Sequence, residues 1–350
     1  MLKKARYDGA VPPLLKNKTL AMIFEEPSTR TRVSFEAAMT LLGGHAQYYR
    51  PGDLHLGAKE CLYDTAKVLS RMCDGIICRA LKHSTVTGLA KYAEIPVFNG
   101  LTDYNHPTQA ICDIFTMLEH CTDEQRYDTS KIKVVFVGDA TNVCSSTMHL
   151  TTQLGMNFVH IAPKKYQSPK EWVDIAKQHI KNIGKGSVKV TDDLNEVKGA
   201  DFIYTDVWWW FGQEAEALER YETFRDGGFQ VNNALLKKAG PQCKVMHCLP
   251  AARNLEIADE AFDGPQSIIF DQAENRLTAQ MGLVTYFMYP RTDKATPEME
   301  AYWKGKLESY LEDKDRSWKQ RRFVNNDYTL PIDYLTDVNK IRENLKKKGK

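Results

Sequence analysis

Two arginines and four hydroxyl groups lie within eight residues in the segment PSTRTRVSFEAAM, which runs from Pro27 to Met39. The segment follows an apolar run, so Ser28 and Thr29 are placed to cap a helix that begins near Arg30. Backbone N–H groups at a helix start attract anions, and the forked guanidinium of Arg30 suits a phosphate. The segment therefore predicts a phosphate site, and the alternative is an ordinary capped helix with solvated arginines.

Three further polar clusters follow short apolar runs that read as strands. They are Arg79 after GIIC, NHPTQ from Asn105 to Gln109, and HCLPAAR from His247 to Arg253. In open α/β sheets, ligands bind at the carboxyl ends of the strands, so these clusters are expected to carry the function. Taken alone, His106 could be a core histidine and Cys248 only a buried thiol.

The elements that must position these residues alternate between short β-branched runs and longer helical patterns, which is typical of an α/β fold. Nearly continuous apolar strands, joined by segments of helix length, predict parallel sheets covered on both faces. The core face of the helix after the first strand is expected to include Val33, Ala37 and Leu41. The predicted strands are LAMIF, GIICRAL and IPVFNGL in a first group, then KVVFVGDA, NFVHIAP, VKVTDD, DFIYTDVW, KVMHCLP and SIIFDQ in a second.

A polar interruption, HCTDEQRYDTSK at 120–131, separates the two groups of strands. We therefore predict two domains, each a parallel sheet flanked by helices, at residues 1–125 and 126–274, with a returning helix near 275–290 that completes the first. Residues 291–350 are predicted to form a C-terminal helical extension that docks through an apolar stripe. The stripe consists of Met299, Trp303, Leu307, Tyr310 and Leu311.

Composition limits the classes of partner. The chain has 350 residues, 43% of them apolar, which is enough for two domains with substantial cores. Its 47 basic and 45 acidic side chains create no global field that would recruit nucleic acid or a membrane, so small-molecule partners are expected. Because there is no membrane-spanning run, no secretory signal and no metal-like cysteine spacing, we expect a cytoplasmic protein without metal or cofactor.

Taken together, the motifs resemble those of the aspartate/ornithine carbamoyltransferase family, over roughly residues 15 to 290. One such tetrapeptide is a weak signal, but this many in the family's order is specific. The resemblance implies carbamoyl phosphate as one substrate, and a homotrimer whose active sites are shared between subunits. The motifs are STRTR, DLHLG at 53–57, HPTQ, the TDVW strand end at 205–208, HCLP, and AENRLT at 273–278.

The resemblance also implies roles for single residues toward carbamoyl phosphate. Residues 28–31 (Ser28, Thr29, Arg30 and Thr31) bind the phosphate, while Thr31, Arg79 and His106 converge on the carbonyl oxygen as negative charge develops there. Gln109 and Cys248 face the carbamoyl NH2 group. The residues expected to carry catalysis are Arg30, Arg79, His106 and Cys248.

Three more positions are implied by the same resemblance. Arg276 in AENRLT would reach the carbamoyl or phosphate oxygens, and its alternative is a surface ion pair. Leu249–Pro250 would be a cis peptide bond that turns backbone carbonyl groups toward the ligands. His55 in DLHLG would act in the phosphate site of the neighbouring subunit, and its alternative is an ordinary exposed loop histidine.

The strand end at Asp206 departs from the ornithine enzymes of the family, which place Ser-Met where this chain has Trp210 and Phe211. Aromatic rings cannot satisfy an α-ammonium group as a hydroxyl would, and an unpaired buried charge is costly. With Trp209, the rings can pack on methylene groups and tolerate ammonium through cation–π contact, while Asp206 supplies a carboxylate. This pattern, and HCLPAAR, predict putrescine as the amine, as in the putrescine-using members of the family.

Other interpretations stay open. Asn142 matches an amide that ornithine enzymes use for the amino-acid end, so ornithine carbamoyltransferase is the alternative activity, and the tryptophans could instead pack an interface. A non-catalytic polyamine-binding protein is another alternative function, but such a protein would not need Arg79, His106 and Gln109 together. A nicotinamide dehydrogenase is disfavoured because GDATNVCSS, after KVVFV, lacks the GxGxxG run that admits a pyrophosphate.

Overall fold

The computed structural model describes residues 1–54, 56, 59–210 and 212–289. The described chain divides into two compact units, Met1–Gly100 with the chain from Arg276, and Leu101–Asn275. The expected domain ranges of 1–125 and 126–274 stay a prediction, and the predicted C-terminal extension lies outside the described residues. None of the described helices is both long enough and apolar enough to cross a membrane.

The first unit is built on a four-stranded sheet with the order β2-β1-β3-β4. Strand β1 runs parallel to its neighbours β2 and β3. Leu20 and Met22 of β1 belong to one buried apolar cluster and Ala21 and Ile23 to another, so β1 is covered on both faces. This explains its unbroken apolar sequence. The strands are β1 Thr19–Phe24, β2 His45–Tyr49, β3 Gly75–Arg79 and β4 Val97–Leu101.

The second unit contains a five-stranded parallel sheet with the order β7-β6-β5-β8-β9. Val135 and Val137 of β5 pack in one apolar cluster and Val134 and Phe136 in another, so this sheet is also buried on both faces. The chain order reverses at β5, and ligands bind such sheets at the carboxyl ends beside the reversal. The strands are β5 Lys133–Val137, β6 Asn157–Ile161, β7 Ser187–Thr191, β8 Phe202–Thr205 and β9 Lys244–His247.

Helices connect the strands, and local signals define their starts. Pro107 occupies the first turn of α5, and Thr122 and Gln125 form a reciprocal capping box at α6. The predicted α/β class with two parallel sheets is confirmed. The helices are α1 Leu2–Tyr7, α2 Thr29–Leu41, α3 Leu62–Met72, α4 His83–Tyr92, α5 Pro107–His120, α6 Asp123–Tyr127, α7 Asn142–Gln153, α8 Lys170–Ile183, α9 Ala217–Asp226, α10 Asn233–Ala239, α11 Asp259–Phe262 and α12 Ile269–Met288.

The predicted core face of α2 is wrong. Val33 is 56% exposed and Leu41 is 36% exposed. Polar side chains occupy part of the buried stripe, so a search for apolar residues at helical spacing selected the wrong face. The buried residues of α2 are Thr31, Ser34, Phe35, Ala38 and Met39.

Two strand predictions also need correction. SIIFDQ is not a strand, because only Ser267 bridges to Val245 before α12 begins at Ile269. A short apolar run cannot distinguish a buried strand from the first turn of a buried helix. Strand β2, with the sequence HAQYY, was not predicted because it lacks β-branched residues and is only half-buried.

Two glycines near β7 allow a matched stability test. Gly184 ends α8 at φ +77° with open space around a built Cβ, whereas at Gly186, φ +93°, a Cβ would lie 2.6 Å from the carbonyl oxygen of Met156. Gly184→Ala should lower the free energy of unfolding by about 1–2 kcal/mol from backbone strain alone. Gly186→Ala should lower it further because the backbone must also move. Calorimetry of the two full-length variants checks this, and equal losses would contradict it.

Candidate active site

The start of α2 follows the carboxyl end of β1, as the sequence predicts. Ser28 is the N-cap residue, and its hydroxyl oxygen accepts a hydrogen bond from the backbone N–H of Thr31 at 3.3 Å. Thr29 is exposed and Arg30 is half-buried at the first turn. Because Ser28 satisfies only part of the first turn, backbone donors and the positive helix end remain at this point of the first unit.

Three guanidinium groups lie close enough in the first unit to affect one another. Burial, followed by the positive charges of Arg276 and Arg30, lowers the pKa of Arg79 to about 10. The Nε of Arg79 is buried and has no hydrogen-bond partner within the described residues. A buried excess of positive charge is stabilised by an anion, so this cluster is the candidate phosphate site.

Arg276 is only 3% exposed, so its alternative as a surface ion pair is wrong. One terminal nitrogen of Arg276 donates a hydrogen bond to the hydroxyl of Thr31 at 3.0 Å. The contact joins α12 to the first turn of α2, which are far apart in sequence. It brings two of the predicted phosphate-binding residues together.

In the second unit, His106 immediately precedes α5 and is 4% exposed. Its backbone N–H donates to the hydroxyl of Ser146 at 2.7 Å, and its Nδ1 lies 3.4 Å from the hydroxyl of Thr108. Asn142, at the start of α7, donates its side-chain amide to the carbonyl oxygen of Thr102 at 2.6 Å. The turn before α5 is therefore held by polar groups of α7.

A fully buried carboxylate, Asp113, orients the predicted residue Gln109. The amide nitrogens of Gln109 and Gln272 each donate to Asp113 Oδ1 at 2.7 Å, and the hydroxyl of Tyr204 donates to Oδ2 at 2.9 Å. Since the amide nitrogen of Gln109 is bound to Asp113, an acceptor role toward a ligand falls to its oxygen. Sequence reasoning missed Asp113, although it lies four residues after Gln109 and so on the same helix face.

The HCLP turn after β9 is held by a buried histidine–glutamate pair. His247 Nε2 lies 3.0 Å from Glu256 Oε1, and His247 Nδ1 accepts the backbone N–H of Leu249 at 2.9 Å. Leu249 has φ 59° and forms the predicted cis bond with Pro250. Glu256 also accepts the backbone N–H of Ala252 at 2.6 Å, and sequence reasoning missed this residue.

Asp206 and Cys248 meet at the carboxyl ends of β8 and β9. The thiol of Cys248 donates to Asp206 Oδ1 at 3.0 Å, and the hydroxyl of Thr141 donates to Oδ2 at 2.9 Å. Asp206 is 8% exposed, so its charge would be favoured further by a cationic ligand. This carboxylate is the candidate contact for an ammonium group.

Within the described residues, ligand atoms of Asp206, His247 and Cys248 lie within 4.8 Å of one another, a spacing that a metal ion could use. Both ring nitrogens of His247 are engaged, one with Glu256 and the other with Leu249. Only two ligand atoms then remain, fewer than a stable metal site requires. The donor set therefore does not fit a resident metal.

In the tryptophan-rich segment after β8, Trp208 lies in the core, and Trp209 and Trp210 lie nearer the surface. Trp208 is 1% exposed and stacks on Phe224, with ring centroids 5.3 Å apart. Trp209 packs partly against the same apolar cluster, and the backbone N–H of Trp210 donates to the side-chain oxygen of Gln213 at 3.2 Å. Trp209 and Trp210 are half-buried, and their assignment to the amine stays a prediction. The predicted residues Phe211 and His55 lie outside the described residues.

Comparison with known proteins gives consistent matches. The model for the aspartate/ornithine carbamoyltransferase carbamoyl-P binding domain matches residues 1–119, and the model for the family's Asp/Orn binding domain matches residues 130–287. A putrescine carbamoyltransferase of Mycoplasma capricolum is 68% identical, over 94% of this chain and 91% of its own length. An ornithine carbamoyltransferase of Pyrococcus horikoshii is 47% identical, over 82% of this chain and 89% of its own.

Solved structures agree with these matches. The ornithine carbamoyltransferase from Pyrococcus furiosus has a TM-score of 0.76 at 46% identity, covering 82% of this chain and 89% of that one. The ornithine transcarbamoylase from Giardia lamblia has a TM-score of 0.73 at 33% identity, covering 83% of this chain and 91% of that one.

The Asp113 cluster generates a stability prediction. Tyr204→Phe removes one donor from a buried carboxylate and should lower the free energy of unfolding by about 1–3 kcal/mol. Tyr166→Phe is the matched control, because the buried hydroxyl of Tyr166 has no hydrogen-bond partner within the described residues. That change should stay within about 0.5 kcal/mol of the unmodified protein. Denaturant titration of both variants checks this, and a Tyr204→Phe protein as stable as Tyr166→Phe would contradict it.

Proposed function

Because the chain belongs to the aspartate/ornithine carbamoyltransferase family, we propose that it transfers the carbamoyl group between carbamoyl phosphate and putrescine, giving N-carbamoylputrescine and phosphate. The observation that carries the carbamoyl phosphate assignment is the hydrogen bond from Arg276 to Thr31 at the start of α2. The lowered pKa of Arg79, caused by burial and then by the positive charges of Arg276 and Arg30, supports it as well. The higher identity to putrescine carbamoyltransferases than to ornithine carbamoyltransferases supports the choice of amine. We further propose that the protein acts in the cytoplasm.

In the first unit, we assign Ser28, Thr29 and Arg30 to the phosphate, with Arg276 beside them. Thr31 and Arg79 donate to the carbonyl oxygen, where negative charge develops as the carbon becomes tetrahedral. Donors that are already in place need no reorganisation during the reaction, which is the main way that such sites lower a barrier. The high local positive charge also favours phosphate as the leaving group.

In the second unit, we assign His106 to the carbamoyl carbonyl oxygen, and Gln109, Cys248 and the Leu249 carbonyl group to the carbamoyl NH2. The Gln109 assignment is supported by its hydrogen bond to Asp113, which orients the amide whose oxygen is the acceptor. An NH2 donor and an amide oxygen are complementary. Cys248 needs no nucleophilic role, because the amine attacks the carbonyl carbon directly, and its thiol hydrogen-bonds to Asp206.

The reaction needs a neutral amine. Its lone pair forms the new C–N bond as the C–O bond to phosphate breaks, and the proton released from nitrogen passes finally to the departing phosphate. No separate side-chain base is required, so the rate should rise as the pH approaches the pKa of the amine. Catalysis then depends on position and charge rather than on a covalent intermediate.

We assign the second ammonium group of putrescine to Asp206, and its methylene chain to Trp209, Trp210 and Phe211. Asp206 is buried, and its described donors are neutral: the hydroxyl of Thr141, the backbone N–H of Val207 and the thiol of Cys248. An ammonium ion would supply the missing positive charge. Ornithine remains the second candidate because Asn142 matches the ornithine enzymes. The amide nitrogen of Asn142 donates one of its two N–H groups to the carbonyl oxygen of Thr102.

The amine assignment is tested by turnover of carbamoyl phosphate with putrescine, ornithine, aspartate and acetylornithine, measured side by side. The kcat/KM for putrescine should exceed that for ornithine by at least about tenfold, or ~1.4 kcal/mol of differential transition-state binding. Replacing Trp210 and Phe211 with Ser and Met should narrow the ratio. Equal or better use of ornithine would refute the diamine assignment, and no turnover with any amine would favour a non-catalytic polyamine-binding protein.

We also propose a homotrimer in which His55 acts in the phosphate site of the neighbouring subunit, as the DLHLG motif suggests. Arg79→Ala and His55→Ala proteins should each be nearly inactive. Random mixing of the two should restore about a quarter of normal activity, because that share of interfaces combines an intact Arg79 with an intact His55. Mixtures of Arg79→Ala with Arg30→Ala should stay inactive, since both residues serve the same subunit's site. Fully exchanged Arg79→Ala and His55→Ala hybrids that remain inactive would contradict action in trans.

A further inference from the structure

Arg220 of α9 is a buried cation that the chemistry described so far does not use. Its side chain is 8% exposed. One terminal nitrogen donates to Asp139 Oδ2 at 2.7 Å and to the backbone carbonyl oxygen of Trp208 at 3.1 Å. Its Nε donates to Glu216 Oε2 at 3.0 Å. One guanidinium group therefore connects the end of β5, the segment after β8 and the turn before α9.

Two of these contacts bracket the tryptophans assigned to the amine. Trp208 immediately precedes Trp209 and Trp210, and Glu216 follows them before α9 begins. Arg220 thus connects α9 to the backbone of Trp208 before the two tryptophans and to the side chain of Glu216 after them. A segment held at both ends has fewer backbone conformations than one held at one end.

The surroundings of Arg220 strengthen this attachment. The guanidinium carbon lies 4.6 Å from the ring centroid of Tyr166, within range of a cation–π contact. The Trp208 ring stacks on Phe224 of the same helix, so α9 holds Trp208 by its ring as well as by its carbonyl group. The planar guanidinium donates in fixed directions to three acceptors, which a lysine ammonium cannot reproduce.

We propose that Arg220 is a positioning residue that sets amine specificity, by fixing the backbone that carries Trp209 and Trp210. The inference deepens the proposed function and rests on its assignment of these tryptophans to the amine. Aromatic rings held in fixed positions can exclude a substrate that carries an additional charged group, whereas mobile rings can rearrange around that group. Loss of Arg220 should therefore weaken putrescine binding and relax discrimination against ornithine.

The test compares Arg220→Met, Arg220→Lys and Glu216→Gln with Arg225→Lys. Arg225 is the matched control, because it lies on the same helix but donates to the hydroxyl of Tyr221 at 2.7 Å rather than to the backbone of Trp208 or to Glu216. Four quantities are measured on each full-length protein: kcat and KM for putrescine, the same for ornithine, the Kd for inorganic phosphate, and the melting temperature. The phosphate Kd reports on the groups of the first unit.

For Arg220→Met, kcat/KM for putrescine should fall by about 10–100-fold, mainly through KM, and the putrescine-to-ornithine ratio should fall by at least about fivefold. The Kd for phosphate should change by less than about twofold, because the described hydrogen bonds of Arg220 go to Asp139, Trp208 and Glu216 and not to an assigned phosphate group. The putrescine-to-ornithine ratio of kcat/KM for Arg220→Lys should lie between those of Arg220→Met and the unmodified protein. Glu216→Gln should reduce this ratio less than Arg220→Met does. Arg225→Lys should have the same ratio as the unmodified protein.

The inference is overturned if every Arg220 variant loses activity equally toward both amines, since an unchanged ratio indicates a purely structural role. If Arg220→Met fails to fold, the ratios of Arg220→Lys and Glu216→Gln decide the matter. Failure of the proposed function gives a different result, because the unmodified protein itself would then not prefer putrescine. In that case, the Arg220 variants still test the positioning role. A changed ratio of kcat/KM between ornithine and putrescine supports it, and an unchanged ratio overturns it.

Discussion

The interior of a strand that is buried on both faces of a parallel sheet favours apolar side chains, so most of the candidate chemistry of each unit lies at the ends of its strands. Alternate residues of β1 and β5 are divided between separate apolar clusters, so their interiors carry no reactive groups. In the first unit, Ser28 follows β1 and Arg79 ends β3. In the second unit, Asp206 follows β8 and Cys248 follows β9. The functional residues are therefore far apart in sequence but gathered at carboxyl ends.

The candidate sites of the two units bring together side chains of opposite charge. In the first unit, burial and then the positive charges of Arg276 and Arg30 lower the pKa of Arg79 to about 10. An anion would offset the positive charge that these neighbours place near Arg79, which suits a phosphate site. The second unit buries carboxylates instead. Asp113 and Asp206 receive hydrogen bonds from amides, hydroxyls and a thiol, so each carboxylate is held in one orientation.

The candidate ligand-binding residues depend on neighbouring side chains for their orientation. Asp113 commits the nitrogen of Gln109, and the His247–Glu256 pair shapes the turn that carries Cys248 and Leu249. Arg220 has the same relation to the tryptophans. In a dry interior, such contacts are strong because water does not compete for them, and a missing partner is costly. Carbamoyl transfer relies on position and charge, so this supporting layer has direct consequences for rate and selectivity.

Much of the fold and of the candidate site can be predicted from the sequence. The apolar runs of β1 and β5 indicate buried parallel strands because such strands must be apolar throughout, and the motifs around Arg30, His106 and Cys248 lie at strand ends. The sequence predicts secondary structure less well where the local pattern of residue types is ambiguous. β2 lacks β-branched residues, and the apolar run at Ile268 starts a buried helix rather than a strand.

By itself, the sequence determined the α/β class, the strand-end motifs and their resemblance to one family, because these depend on local composition and on residues adjacent in the chain. Only the tertiary structure decided which helix face of α2 is buried, that Arg276 meets Thr31, and that Asp113 and Arg220 orient their neighbours. Those contacts join residues from different elements. Their energies depend on distance, direction and exclusion of water, which a linear pattern does not specify.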